Sequence, residues 1–122
     1  EQIALTILAT VVSKNQDYFI LDSGSKIFSS DMGAHGTSSV RNFGEVYAVE
    51  DFDRKESPLS LAKLSEEHGF VTRNGRDLPI GQTVRVIPNH SCVAANLVDH
   101  YAVLMPDSSV EKWPVDARGM VQ

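Results

Sequence analysis

Short runs of β-branched and aromatic residues, separated by polar or glycine-containing breaks, recur along the whole chain. The first, Ile3-Ala4-Leu5-Thr6-Ile7-Leu8-Ala9-Thr10-Val11-Val12, alternates only loosely, which predicts a strand covered on both faces and starting at the first residues. Ser13-Lys14-Asn15-Gln16-Asp17 predicts a turn. Tyr18-Phe19-Ile20-Leu21-Asp22 predicts a second strand stopped by Ser23-Gly24-Ser25, so residues 3–22 read as a hairpin. Gly24 is expected to supply turn freedom, with Asp22 or Ser23 capping the turn. The small, polar run from Asp31 to Asn42 reads as a long loop, and long loops in compact domains are often functional.

Strand character resumes at Phe43-Gly44-Glu45-Val46-Tyr47-Ala48-Val49, and the charged stretch from Asp51 to Ser60, carrying Pro58, reads as a connector. Leu61 to Phe70 has a helical composition. Pro58 and Gly69 leave it little length, however, and Leu61, Lys63 and Ser65 alternate against Ala62, Leu64 and Glu66, which tips the expectation to strand. Asn74-Gly75 predicts a tight turn, and Leu78-Pro79-Ile80-Gly81-Gln82 a second one. Thr83-Val84-Arg85-Val86-Ile87 has the cleanest period-two alternation, and Pro88, with no N–H to donate, is expected to end its ladder. Ser91 to Leu97 allows one short helical turn around and after Cys92, followed by strands at Tyr101–Met105 and Val110–Val115. Trp113-Pro114 fits core or edge packing. About seven short strands with turn signals between them predict an all-β fold, a small barrel or sandwich.

Length and composition set the scale of that fold. At 122 residues and 42% hydrophobic content, residues 1–122 read as a single β-domain with one modest core. The net charge of −5 is spread along the chain without a lysine or arginine cluster, which argues against nucleic acid as a partner. No run approaches the ~18 consecutive apolar residues of a membrane span. The start, Glu1-Gln2-Ile3-Ala4-Leu5, lacks a secretory layout, so a soluble, cytoplasmic protein without a membrane partner is expected. Strand residues at the very beginning, where termini are usually polar and frayed, suggest a piece of something longer. A lone cysteine cannot form an internal disulfide, so Cys92 is a small buried residue, a reactive thiol or a ligand.

The run Pro88-Asn89-His90-Ser91-Cys92 holds the leading candidate chemistry. In extended backbone, residues two apart share a face, and a Cα separation of roughly 6.5 Å lets an imidazole and a thiolate converge on one ion at about 2.0–2.3 Å. The spacing permits chelation without establishing it. Two ligands leave a zinc ion short of tetrahedral, which suits an open catalytic site better than a structural one. Sulfur with imidazole favours zinc over magnesium or calcium. A buried thiol beside a hydrogen-bonded histidine fits the same spacing. A base and thiol nucleophile fits less well, because no third orienting group is apparent. His68, after Glu66-Glu67, is a candidate third ligand or acid/base residue, or part of a solvated loop. His35 and His100 have no partner in sequence and read as surface or loop residues.

Four blocks then bear on each other: Leu21-Asp22-Ser23-Gly24-Ser25-Lys26 with Ser29-Ser30-Asp31-Met32-Gly33; Leu64-Ser65-Glu66-Glu67-His68-Gly69; Val86-Ile87-Pro88-Asn89-His90-Ser91-Cys92; and Trp113-Pro114-Val115-Asp116-Ala117-Arg118-Gly119. Together they resemble the C-terminal β-domain of the D-serine dehydratase and D-threonine aldolase family, fold-type III pyridoxal-phosphate enzymes related to alanine racemase. The blocks occur in the family's order and cover nearly the whole chain. The resemblance implies a divalent metal, zinc by its ligands, at His90 and Cys92 beside the cofactor. It gives the dehydratases His-x-Cys where the aldolases tend to have His-x-Asp, so Cys92 points to a dehydratase.

The resemblance also implies that the lysine and most other contacts to pyridoxal phosphate lie in an N-terminal α/β barrel absent from this chain. Lys26 sits in a β-domain block and is not that lysine, and the chain alone is expected to be inactive. The implied reaction eliminates water from a D-β-hydroxy amino acid to give a keto acid and ammonia. In it the metal acts as Lewis acid at the leaving hydroxyl and the cofactor as electron sink. Retro-aldol cleavage to glycine and an aldehyde is the alternative within the family, and a free-standing, non-catalytic β-domain is the alternative outside it. Relatives built on this plan are homodimers, so one apolar face is expected to be covered.

Overall fold

Period-two alternation puts every second side chain of a strand on one face, and here that face turns inward on a closed barrel. The computed structural model describes residues 3–32, 41–53 and 58–120. Strands β1 (Ile7–Lys14), β2 (Tyr18–Leu21), β3 (Gly44–Ala48), β4 (Leu59–Leu64), β5 (Gly69–Thr72) and β6 (Thr83–Pro88) close in the order β1-β2-β5-β4-β3-β6. Every neighbouring pair is antiparallel. Strands β7 (His100–Leu104) and β8 (Val110–Pro114) form a separate two-stranded hairpin. Short helical segments α1 (Ser25–Phe28), α2 (Val49–Phe52) and α3 (Ser91–Asn96) complete the order. The all-β expectation holds, and of the two architectures it allowed the barrel is the one adopted.

Val11, Phe19, Leu21, Val46, Leu61, Val71, Val84 and Val86 are fully buried, so every barrel strand supplies at least one of the side chains that fill the interior. The Leu61–Phe70 stretch is not helical, but it is two strand ends and not one strand: Leu61–Leu64 closes β4, residues 65–68 turn the chain, and Gly69-Phe70 opens β5. At Asn74-Gly75 both φ angles are positive, 46° and 77°, and Arg76 N donates to Arg73 O at 2.8 Å. That is the type I′ turn which the dipeptide favours. Gly81, at φ 92°, closes the second turn, with Gln82 N donating to Pro79 O at 3.2 Å.

Two expectations need correction. Strand β1 starts at Ile7, not Ile3, and is covered on one face only: Ala9 and Val11 are buried while Leu8 is 61% exposed. Its loose alternation reflects a shift of register between Val11 and Ser13 against β2. Asp22 completes this part of the pairing, its Oδ1 accepting from Thr10 N at 2.7 Å and its own N–H donating to Thr10 O at 3.1 Å. The connector expected from Asp51 begins inside helix α2, held by Phe52, whose ring meets Tyr47 edge-on at 5.7 Å and lies 4.8 Å from the Arg85 guanidinium. The short helical turn expected over Ser91 to Leu97 is present as α3.

Candidate functional site

The candidate residues lie where β6 gives way to α3. Pro88 is the last paired residue of β6, opposite Gly44. The Asn89 side-chain Nδ2 then donates to Met32 O at 2.8 Å and to Asn42 O at 2.6 Å, and its backbone N–H to Phe43 O at 3.4 Å. One amide thus clasps the chain on both sides of residues 33–40. Most of the loop expected from Asp31 to Asn42, His35 included, lies outside the described residues.

His90 follows as the N-cap residue of α3, in extended backbone (φ −131°, ψ 100°), and Cys92 is the second helical residue. The argument that both lie on one face of a strand therefore does not apply, because helix α3 starts at Ser91, between them. The pair instead shares one helix start. Cys92 is exposed, which removes the buried-thiol reading. His90 is half-buried, and its Nδ1 lies 2.6 Å from Asp31 Oδ2. Asp31 is itself anchored by its backbone N–H, which donates to Ser29 Oγ at 3.0 Å.

The four sequence blocks meet at this end of the molecule. Helix α1 docks on the β4–β5 turn, with Ser25 N donating to Ser65 O at 2.8 Å and Lys26 N to Glu66 O at 3.2 Å. Lys26 Nζ hydrogen-bonds Glu67 and lies 3.7 Å from Glu66 Oε2. The Glu67 hydrogen bond and charge hold the Lys26 ammonium above its ordinary pKa. Gly24 makes the docking possible: a Cβ there would sit 2.4 Å from Ser65 O and 2.5 Å from His68 N. Its φ of −119° is open to any residue, so close approach and not turn freedom demands the glycine. Helices α1 and α3 touch. The last block returns to α3 through Gly119 N, which donates to Asn96 Oδ1 at 2.9 Å, and Arg118 pairs with Asp99 in the segment between α3 and β7 at 2.7 Å.

His68 is exposed in the β4–β5 turn, its backbone N–H donating to Ser65 Oγ at 3.0 Å and its carbonyl accepting from Ser65 N at 2.8 Å. Among the described residues no three His, Cys, Asp or Glu side chains gather into a metal-binding group, so His68 does not join His90 and Cys92. His100 opens β7 and is exposed. Asp31 is the residue that sequence reasoning missed. It stood at the head of the long loop expected from Asp31 to Asn42, and its histidine partner is 59 residues away. No helix of the described residues is long and apolar enough to cross a membrane.

Residues 4–104 match the family model described as "Putative serine dehydratase domain". An uncharacterized protein of Mycobacterium tuberculosis is 40% identical over 125 residues, which take in 96% of this chain and 85% of that protein. D-threo-3-hydroxyaspartate dehydratase of Delftia is 28% identical over 123 residues, 93% of this chain but 32% of the enzyme. Its solved structure superposes with a TM-score of 0.76 at 27% identity, over 91% of this chain and 31% of that one. D-threonine aldolase from Filomicrobium marinum superposes with a TM-score of 0.70 at 27% identity, over 96% of this chain and 29% of that one. The chain thus spans most of the mycobacterial protein and less than a third of the enzymes. The Delftia dehydratase has also been solved with a histidine replaced by alanine and, in a metal-free form, with a cysteine replaced by alanine. Those two residues are two positions apart.

Proposed function

The chain belongs to the serine dehydratase domain family, and from that premise we propose that it is the metal-binding β-domain of a D-serine dehydratase-like lyase acting on a D-β-hydroxy amino acid. One observation carries this reading. His90 and Cys92, together at the start of α3, repeat the histidine-to-cysteine spacing of the two residues replaced in the Delftia dehydratase. An imidazole and an exposed thiol form a donor set that suits zinc over hard cations, and two protein ligands leave positions open for water or substrate. When bound, zinc supplies Lewis-acid polarisation of a substrate hydroxyl, and pyridoxal phosphate, held by a barrel outside this chain, supplies an electron sink.

The chain's own residues then have defined tasks. His90 and Cys92 hold the ion, Asn89 fixes the backbone just before them, and α1 with the β4–β5 turn walls the same end of the barrel. The same ligands would serve retro-aldol cleavage. Cys92, where the resemblance gives aldolases an aspartate, favours elimination to a keto acid and ammonia. A non-catalytic reading has one observation in its favour: this domain accounts for 85% of its mycobacterial relative. There it would act as a metal-binding module alone.

Zinc titration of the full chain and of Cys92→Ala tests the shared premise. The variant is expected to bind at least about tenfold more weakly. Equal affinity would remove Cys92 as a ligand. Product analysis on a chain that carries the barrel separates the readings: keto acid and ammonia support elimination, and glycine with an aldehyde supports cleavage.

A further inference from the structure

We infer that Asp31 is a positioning residue for His90, fixing the imidazole with its proton on Nδ1 and its Nε2 lone pair presented to the metal. The inference rests on the ligand reading of His90 given above. A carboxylate offers only acceptors, so the 2.6 Å contact between Asp31 Oδ2 and His90 Nδ1 is a hydrogen bond donated by the ring. In a neutral imidazole the other nitrogen then carries the lone pair. Metal-ligating histidines characteristically donate their second ring N–H to a carboxylate or carbonyl, which orients the ring and raises its basicity.

The structure holds both partners by separate devices. Ser29, at φ 60° and ψ 179°, adopts a backbone conformation that is normally glycine's, and it turns the chain out of α1 towards Asp31. Its Oγ accepts from Asp31 N at 3.0 Å. On the other side of Asp31, Met32 O accepts from Asn89 Nδ2 at 2.8 Å, and Asn89 immediately precedes His90. Asp31 is therefore pinned between two anchors, one of which belongs to the strand end that delivers the histidine. Turn chemistry within residues 29–32 would account for the Ser29 bond but not for a side-chain bond to a residue 59 positions away.

Two measurements on the full chain test this. Nitrogen-15 imidazole spectra of the metal-free protein, with the His90 signal assigned by its loss in His90→Gln, read the tautomer directly. Wild type is expected to show the proton on Nδ1, and Asp31→Ala to lose that preference. Zinc titration is expected to show a 10- to 100-fold weaker affinity in Asp31→Ala. Asp31→Asn, whose amide oxygen still accepts from Nδ1, should keep the tautomer and recover part of the affinity. A wild-type ring protonated on Nε2, or Asp31→Ala binding zinc as tightly as wild type, would overturn the inference and leave the ligand reading standing. A wild type that binds no zinc would overturn the ligand reading and this inference with it, whatever the tautomer.

Discussion

The six-stranded barrel and the β7–β8 hairpin are built from equally short antiparallel strands, yet only one of them has a core. Every barrel strand buries at least one apolar side chain completely, whereas no residue of the hairpin is buried, and Leu104 and Val110 are each 65% exposed. A two-stranded hairpin is marginal in water on its own. Val115 N to Asp99 O at 2.9 Å and the Arg118–Asp99 pair only prolong its own ladder; what ties it to α3 is Tyr101 OH to Ala95 O at 3.1 Å and, just beyond β8, Gly119 N to Asn96 Oδ1 at 2.9 Å. The candidate site sits at the seam. Helix α3, which carries Cys92, is continuous with barrel strand β6 on one side and bonded to the hairpin on the other. The setting of His90 and Cys92 is thus inherited from the barrel side, and the hairpin is an attachment to it.

The largest expected break in that arrangement comes from Gly24→Ala. The new methyl would meet the Ser65 and Glu66 backbone, which cannot swing aside as a flexible side chain would, so β2 and the β4–β5 turn must separate. We expect a loss of roughly 3 kcal/mol in urea denaturation, together with weaker zinc binding, because Asp31 follows α1 directly. Gly75→Ala is the control. Its Cβ meets nothing within 4 Å, so only the positive φ of 77° is penalised, at about 1 kcal/mol. Equal losses in the two variants would show that α1 docking contributes nothing beyond turn strain.

A smaller effect separates the regions by pH. Burial raises the pKa of Tyr47 in β3 to about 12, helped by its hydrogen bond to Glu45 Oε2 at 2.7 Å. A phenol whose folded pKa is raised contributes stability that is fully present below its unfolded pKa near 10 and is lost as pH rises from there to about 12. By pH 11 the loss should be roughly 1 kcal/mol. Urea midpoints at pH 9 and 11 should fall less in Tyr47→Phe than in wild type. Parallel falls in the two proteins would assign the alkaline loss to other groups.

The same contrast explains what could be read from the chain before its fold. Strands were legible because half-buried strands alternate, and β6 did so plainly. Barrel closure was not, since it depends on β1 and β3 both pairing with β6, contacts that no local pattern encodes. Helix α2 went unseen because Phe52 is held by Tyr47 and Arg85 and not by its neighbours in sequence. His90 and Cys92 were legible as a motif, but their setting at a helix start was not, because the clasp that ends β6 reaches Met32 and Asn42. Asp31 was hidden for the same reason, its role depending on a residue 59 positions on.

The smallest effect is also the most direct test of whether barrel and hairpin are separable. Tyr101→Phe removes one part-buried hydroxyl bond to Ala95 O and nothing else, which should cost about 1 kcal/mol. If the hairpin is an attachment, that cost falls on its own opening. Amides of β7 and β8 should then exchange with solvent faster, roughly fivefold for 1 kcal/mol, while the barrel amides and the global urea midpoint stay unchanged. Trp113 gives an independent view, because the chain's one tryptophan lies on β8, away from the buried core. Its fluorescence should change at lower urea than the far-ultraviolet signal of the barrel, and the gap between the two transitions should widen in Tyr101→Phe. Coincident transitions, with barrel amides accelerated alongside those of the hairpin, would mean that α3 couples the two into one cooperative unit. The placement of His90 and Cys92 would then depend on the hairpin as much as on β6.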